Sequence, residues 1–125
     1  MPHVTIEFSA NVAERTDIAA LVAAVHDAAI ATGFVPADGL RTRAVSRAIY
    51  AVGDRHPDNG FVAVFTRLAV GRTPEQRAYF MGRIDAAVHS ALGEAVHRLA
   101  ISVEYIEIQT DFRVNTNHIR RVTQA

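Results

Sequence analysis

Val4, Ile6 and Phe8 alternate with His3, Thr5 and Glu7, the period of two expected of a half-buried strand, because successive side chains leave opposite faces. After the polar break Ser9-Ala10-Asn11 the period lengthens. Ile18, Leu21, Val22, Val25 and Ala29 recur at spacings of three and four, which predicts a helix capped by Thr16 or Asp17, running to about Thr32 and stopped by Gly33. The linker 33–39 holds Gly33, Pro36 and Gly39, the residues of a surface connection, and leads into an expected second strand over 40–50. Arg41, Arg43 and Arg47 fall at odd numbers there and would share one face if no bulge intervenes.

Residues 54–60 end in Asn59-Gly60 and form the strongest turn signal, dividing the chain nearly in half. Residues 61–70 are apolar almost throughout, as a central strand would be. Thr73, Pro74 and Gln76 then stand at the N-cap, N1 and N3 positions of a capping box. The helix they open carries Phe80, Ile84, Val88, Leu92 and Leu99 and is expected to end near Arg98. Residues 100–108 alternate again as a fourth strand, and the polar tail 111–125 has little pattern.

These elements predict one α/β domain over 1–125: a βαβ unit at about 2–52, a second at about 61–110, and a C-terminal tail at about 111–125. Right-handed crossovers make the outer strands of each half parallel. The expected architecture is an α+β sandwich, a four-stranded sheet with two helices on one face. Its other face would carry Val62, Val64, Leu68 or their alternates uncovered, and so much apolar surface predicts burial in an oligomer.

Composition changes this picture by exclusion. A length of 125 residues fits one domain with a real core, and no apolar run is long enough to span a bilayer. With no secretory-type leader, the expected address is the cytoplasm. Formal net charge is zero, so nothing global steers the chain to nucleic acid or to a membrane. All 13 basic residues are arginine, a bias that a high-GC genome also produces. The absence of cysteine removes disulfides, thiolate metal sites and a cysteine nucleophile together.

The six histidines show no ligand spacing. His89 and His97, eight apart on the expected second helix, lie two turns apart, too far to chelate one ion, so no metal is expected. His26 borders the stripe of the first helix and reads as a packing residue. Neither a G-x-S-x-G elbow, a P-loop nor a G-x-G-x-x-G stretch is present, and Arg120-Arg121 is too small for a nucleic-acid stripe.

What remains is Pro2 and the arginines. If Met1 is cleaved, the Pro2 nitrogen changes from a tertiary amide into a secondary amine with a usable lone pair, held at the head of a strand. An ordinary Met-Pro start to an ordinary strand reads from the same residues. Arg72 stands just before the capped helix, where free N–H groups favour an anion, and Arg41 stands at the start of the second strand. An amine flanked by both cations would have its pKa lowered toward neutrality, where a general base works best.

Met-Pro-His at the start, Glu7-Phe8-Ser9-Ala10-Asn11, Thr32-Gly33, Gly39-Leu40-Arg41-Thr42-Arg43 and Gly71-Arg72 resemble the 5-carboxymethyl-2-hydroxymuconate isomerase family of the tautomerase superfamily. The resemblance covers nearly the whole chain. It implies a tautomerase-like homotrimer that isomerises a small carboxylated enol in homoprotocatechuate breakdown without a cofactor. It also implies that Pro2 is the acid/base, that Arg41 and Arg72 are catalytic cations, and that Arg43 and His3 bind substrate. The match weakens between Ala44 and Asn59, which leaves substrate identity open. Two other readings stand beside it: a proline-based tautomerase for a different enol acid, and a non-catalytic trimeric binding module.

Overall fold

The computed structural model describes residues 1–119; the Arg120-Arg121 pair lies outside the described residues. The first strand, β1, covers His3–Ser9 and alternates between buried Val4, Ile6 and Phe8 and half-buried His3, Thr5 and Glu7. A short 3₁₀ turn follows, and helix α1 covers Ile18–Ala31, with the Asp17 carboxylate accepting from the Ala20 N–H at 3.2 Å as N-cap. Of its stripe, Leu21, Val25 and Ala29 are buried. Thr32 is the C-cap, and Gly33, at φ 77°, turns the chain out of the helix in a conformation a Cβ would resist.

Strand β2 is Arg41–Arg47, shorter than the expected 40–50. It is an edge strand paired only with β1, in parallel register from His3↔Arg41 to Ser9↔Arg47. When β1 turns away after Ser9, β2 loses its partner, and Ile49 stands 98% exposed. Strand β3, Gly60–Ala69, runs antiparallel to β1 and parallel to β4, Leu99–Ile108, so the sheet order is β2-β1-β3-β4.

Helix α2 covers Pro74–Leu92. Its expected box is present in full: the Gln76 N–H donates to the Thr73 hydroxyl at 3.2 Å, and the Thr73 N–H to the Gln76 side-chain oxygen at 2.9 Å. The helix stops at Leu92 rather than near Arg98, because Gly93 at φ 54° breaks the ladder and opens a second 3₁₀ turn. Leu99 therefore begins β4 instead of closing α2, and His97 lies off the helix that carries His89.

Phe80, Ile84 and Val88 of α2 pack with Leu21 and Val25 of α1 over the even positions of β1 and β3. Both helices thus share one face of the sheet. Val62, Val64 and Leu68 belong to this covered side. Their alternates Phe61, Ala63, Phe65 and Arg67 face away, beside Val45 and Ile106. Each fully buried aliphatic or aromatic side chain here stabilises the fold by about 1.5–3 kcal/mol. His26 does pack α1 onto the sheet, with its Nδ1 2.8 Å from the Thr42 hydroxyl of β2. Among the described residues no helix is long and apolar enough to cross a membrane.

Candidate active site

The antiparallel pairing of β1 with β3 puts His3 opposite Arg67, so the end of β3 and the Gly71-Arg72 turn lie beside the start of β1. Parallel pairing of β1 with β2 brings the loop 33–40 to the same edge, where the Arg41 N–H donates to the Pro2 carbonyl at 3.3 Å. Four segments meet there, the fourth being the chain beyond β4. They enclose a cavity of about 340 Å³. Buried Pro2, with Phe34, Val35, Pro36 and Leu68, gives its apolar wall. Arg72 and, from the tail, Arg113, Asn115 and Asn117 give its polar wall.

Phe34 is a fixed part of that wall, edge-on to Tyr79 at 5.7 Å and stacked on Phe80 at 6.4 Å between ring centroids. Arg72 is fixed too. Its Nη1 donates to the Ala69 carbonyl at 3.0 Å and its Nη2 to the Phe34 carbonyl at 2.5 Å. The guanidinium therefore ties the end of β3 to the loop after α1 while it lines the cavity. The Arg77 Nη1 in turn donates to the Arg72 carbonyl at 2.7 Å.

Arg41, Arg43 and His3 are brought together on the helix-free face, away from the cavity lining. The Arg41 Nη2 lies 3.0 Å from the His3 Nε2, and the Arg43 Nη1 lies 3.0 Å from the His3 Nδ1. A neutral imidazole has one acceptor nitrogen, so at most one of these contacts is a hydrogen bond in either tautomer. Burial, followed by the charges of Arg41, Arg43 and Arg67, holds His3 down at about 4 instead of 6.5. Arg47 shares this face, 3.6 Å from the Glu7 carboxylate, as the odd-number spacing predicts. Arg41 touches the cavity only indirectly: its Nη2 donates to the Met1 carbonyl at 3.4 Å, and Met1 lines the cavity.

Sequence reasoning thus reached Pro2 and Arg72 in the cavity and the Arg41, Arg43, His3 cluster beside it, but missed Arg113, Asn115 and Asn117. No local pattern in the polar tail announces them. The tail is brought back by contacts such as the Asn117 Nδ2 donating to the Asp38 carbonyl at 2.8 Å, 79 residues earlier in the chain. Among the described residues no three His, Asp or Glu side chains converge as a metal site would require.

A buried proline at a strand head, facing a cavity lined by the braced Arg72 guanidinium, suits a small acid as ligand. Over residues 2–123 the sequence matches the family described as 5-carboxymethyl-2-hydroxymuconate isomerase. A protein of Escherichia coli, 5-carboxymethyl-2-hydroxymuconate Delta-isomerase, is 28% identical over 122 residues, covering 95% of this chain and 96% of its own. A crystal structure of a 5-carboxymethyl-2-hydroxymuconate delta-isomerase superposes with a TM-score of 0.91 at 20% identity, covering 100% of this chain and 94% of the other. The fold also recurs in a fused 4-OT solved as a symmetric trimer, with a TM-score of 0.67, 17% identity and coverage of 91% and 93%.

Proposed function

The chain belongs to the 5-carboxymethyl-2-hydroxymuconate isomerase family, and from that premise we propose that it is a cofactor-independent isomerase of carboxylated enols, with Pro2 as its acid/base. The observation that carries this reading is the position of Pro2, buried in the wall of a cavity it shares with Arg72. With Met1 removed, Pro2 becomes a secondary amine. The same cut frees Arg41 from the Met1 carbonyl it now contacts. An amine between these cations is disfavoured in its protonated form, which keeps the base available near neutral pH.

On 5-carboxymethyl-2-hydroxymuconate the steps balance without a co-reactant. The Pro2 nitrogen takes the proton from the 2-hydroxyl, the C2–O bond becomes a carbonyl, and the C2=C3 and C4=C5 double bonds give way to one at C3=C4. The protonated amine then returns its proton to C5. Arg72 and Arg41 stabilise the negative charge that builds on the 2-oxygen and its neighbouring carboxylate, with Arg43 and His3 supporting Arg41 from the sheet face.

The reading extends to a homotrimer, because the helix-free face carries Phe61, Phe65, Val45 and Ile106 beside its arginines and because a fold relative is trimeric. A cytoplasmic location goes with it, as catabolism of a small acid draws on the intracellular pool. Intact-mass analysis followed by ultraviolet monitoring of 5-carboxymethyl-2-hydroxymuconate tests the proposal. Loss of the methionine mass with rapid conversion is expected. A free Pro2 that converts no enol acid would defeat the isomerase reading, and a monomer in sedimentation at micromolar concentration would defeat the trimer.

A further inference from the structure

We infer that Arg113, carried on the tail beyond β4, is the residue of the Pro2 cavity that recognises a second carboxylate, remote from the enol end. The tail thereby selects diacids over monoacids. This inference rests on the isomerase reading above.

Arg113 has extended backbone, at φ −145° and ψ 154°. In an extended segment alternate side chains share one side, and residues 113, 115 and 117 all line the cavity while Val114 between them is 97% exposed. The Asn117 Nδ2 fastens this segment to the Asp38 carbonyl at 2.8 Å, so the row of one guanidinium and two amides is held against the cavity mouth.

Arg113 differs from its neighbour in the same wall. Arg72 is engaged by two backbone carbonyls, whereas Arg113, half-buried, has no hydrogen-bond or ion-pair partner among the described residues. A partly desolvated guanidinium with its donors unmatched is costly unless an anion completes it. Its planar fork fits the two oxygens of a carboxylate. Phe34, Val35, Pro36 and Leu68 line the space shared with Pro2. That arrangement favours a short carbon skeleton with charge at both ends.

The test uses the Met1-free protein, R113Q and R113K, with 5-carboxymethyl-2-hydroxymuconate and the monocarboxylate 2-hydroxypenta-2,4-dienoate as substrates. Adipate, which cannot isomerise, is titrated by NMR in parallel. R113Q is expected to raise KM for the carboxymethyl substrate roughly 10- to 100-fold, with kcat changed less than about 3-fold, and to weaken adipate by a similar factor. R113K recovers part of both, and the monocarboxylate is unaffected. Unchanged KM and adipate affinity, or equal losses on both substrates, would overturn the role of Arg113. Adipate binding that depends on Arg113 in a protein that converts no enol would uphold it and sink the isomerase reading instead. A wild-type protein that neither binds adipate nor turns over would sink both.

Discussion

Pro2 has arginines on two sides, and the two groups are held in opposite ways. On the helix-free face, Arg41 and Arg43 are exposed and crowd a single imidazole that can accept from only one of them. On the cavity side, Arg72 is braced by two backbone carbonyls that take two of its five N–H donors, and Arg113 is not paired at all among the described residues. The same side chain thus serves as a charge that other charges push against, as a brace between two chain segments, and as a donor with nothing to bind. Guanidinium count says little about a site; what each fork already touches decides what it can still hold.

The largest expected effect is on the group between the two sides. Pro2→Ala in the Met1-free protein keeps an amine but loses its secondary character, and kcat should fall by roughly 10²–10⁴-fold while circular dichroism stays unchanged. Unaltered kinetics would remove Pro2 from the mechanism and leave the two arginine groups with nothing to flank.

Arg72→Ala and Arg41→Ala should each raise the barrier in kcat/KM by about 2–4 kcal/mol. They are expected to differ in thermal unfolding. Losing Arg72 leaves the Phe34 and Ala69 carbonyls without its donors, so Tm should fall, whereas Arg41 is exposed and its loss relieves crowding on His3. Equal Tm changes in the two variants would erase the distinction between brace and crowded charge.

His3 gives the smallest effect. Its folded pKa, about 4, lies below the unfolded value of 6.5, so between these the unfolded chain binds the proton first. Stability from this group is complete above about 6.5 and lost as pH falls toward 4, by on the order of 1 kcal/mol once solvent screening is allowed for. Denaturant titrations of His3→Asn across that window should show a flatter pH dependence than wild type. An unchanged slope would mean that burial and the neighbouring arginines do not together lower His3 as the geometry implies.

Much of this molecule is legible one segment at a time. The alternation in β1, the spacing in α1 and the Thr73-Pro74-Gln76 box are local signals, because a strand or helix face and an N-cap are each decided within a few residues. The same locality fixes the shared face of Arg41, Arg43 and Arg47. The ends of elements were less legible: β2 stops at Arg47 because its partner strand leaves, which no property of residues 48–50 announces.

The sequence by itself determined which elements form, that they pair off as two βαβ units, and that a proline heads the first strand. Only the tertiary structure decided which arginines meet Pro2. Antiparallel pairing of β3 on β1 delivers Arg72 to the cavity, while the period-two pleat turns the side chains of Arg41 and Arg43 to the opposite face. The tail's Arg113, Asn115 and Asn117 enter the wall only because the chain doubles back after β4 and is fastened to the loop before β2. Contacts across so many residues follow from how whole layers pack, and no local window of sequence contains them.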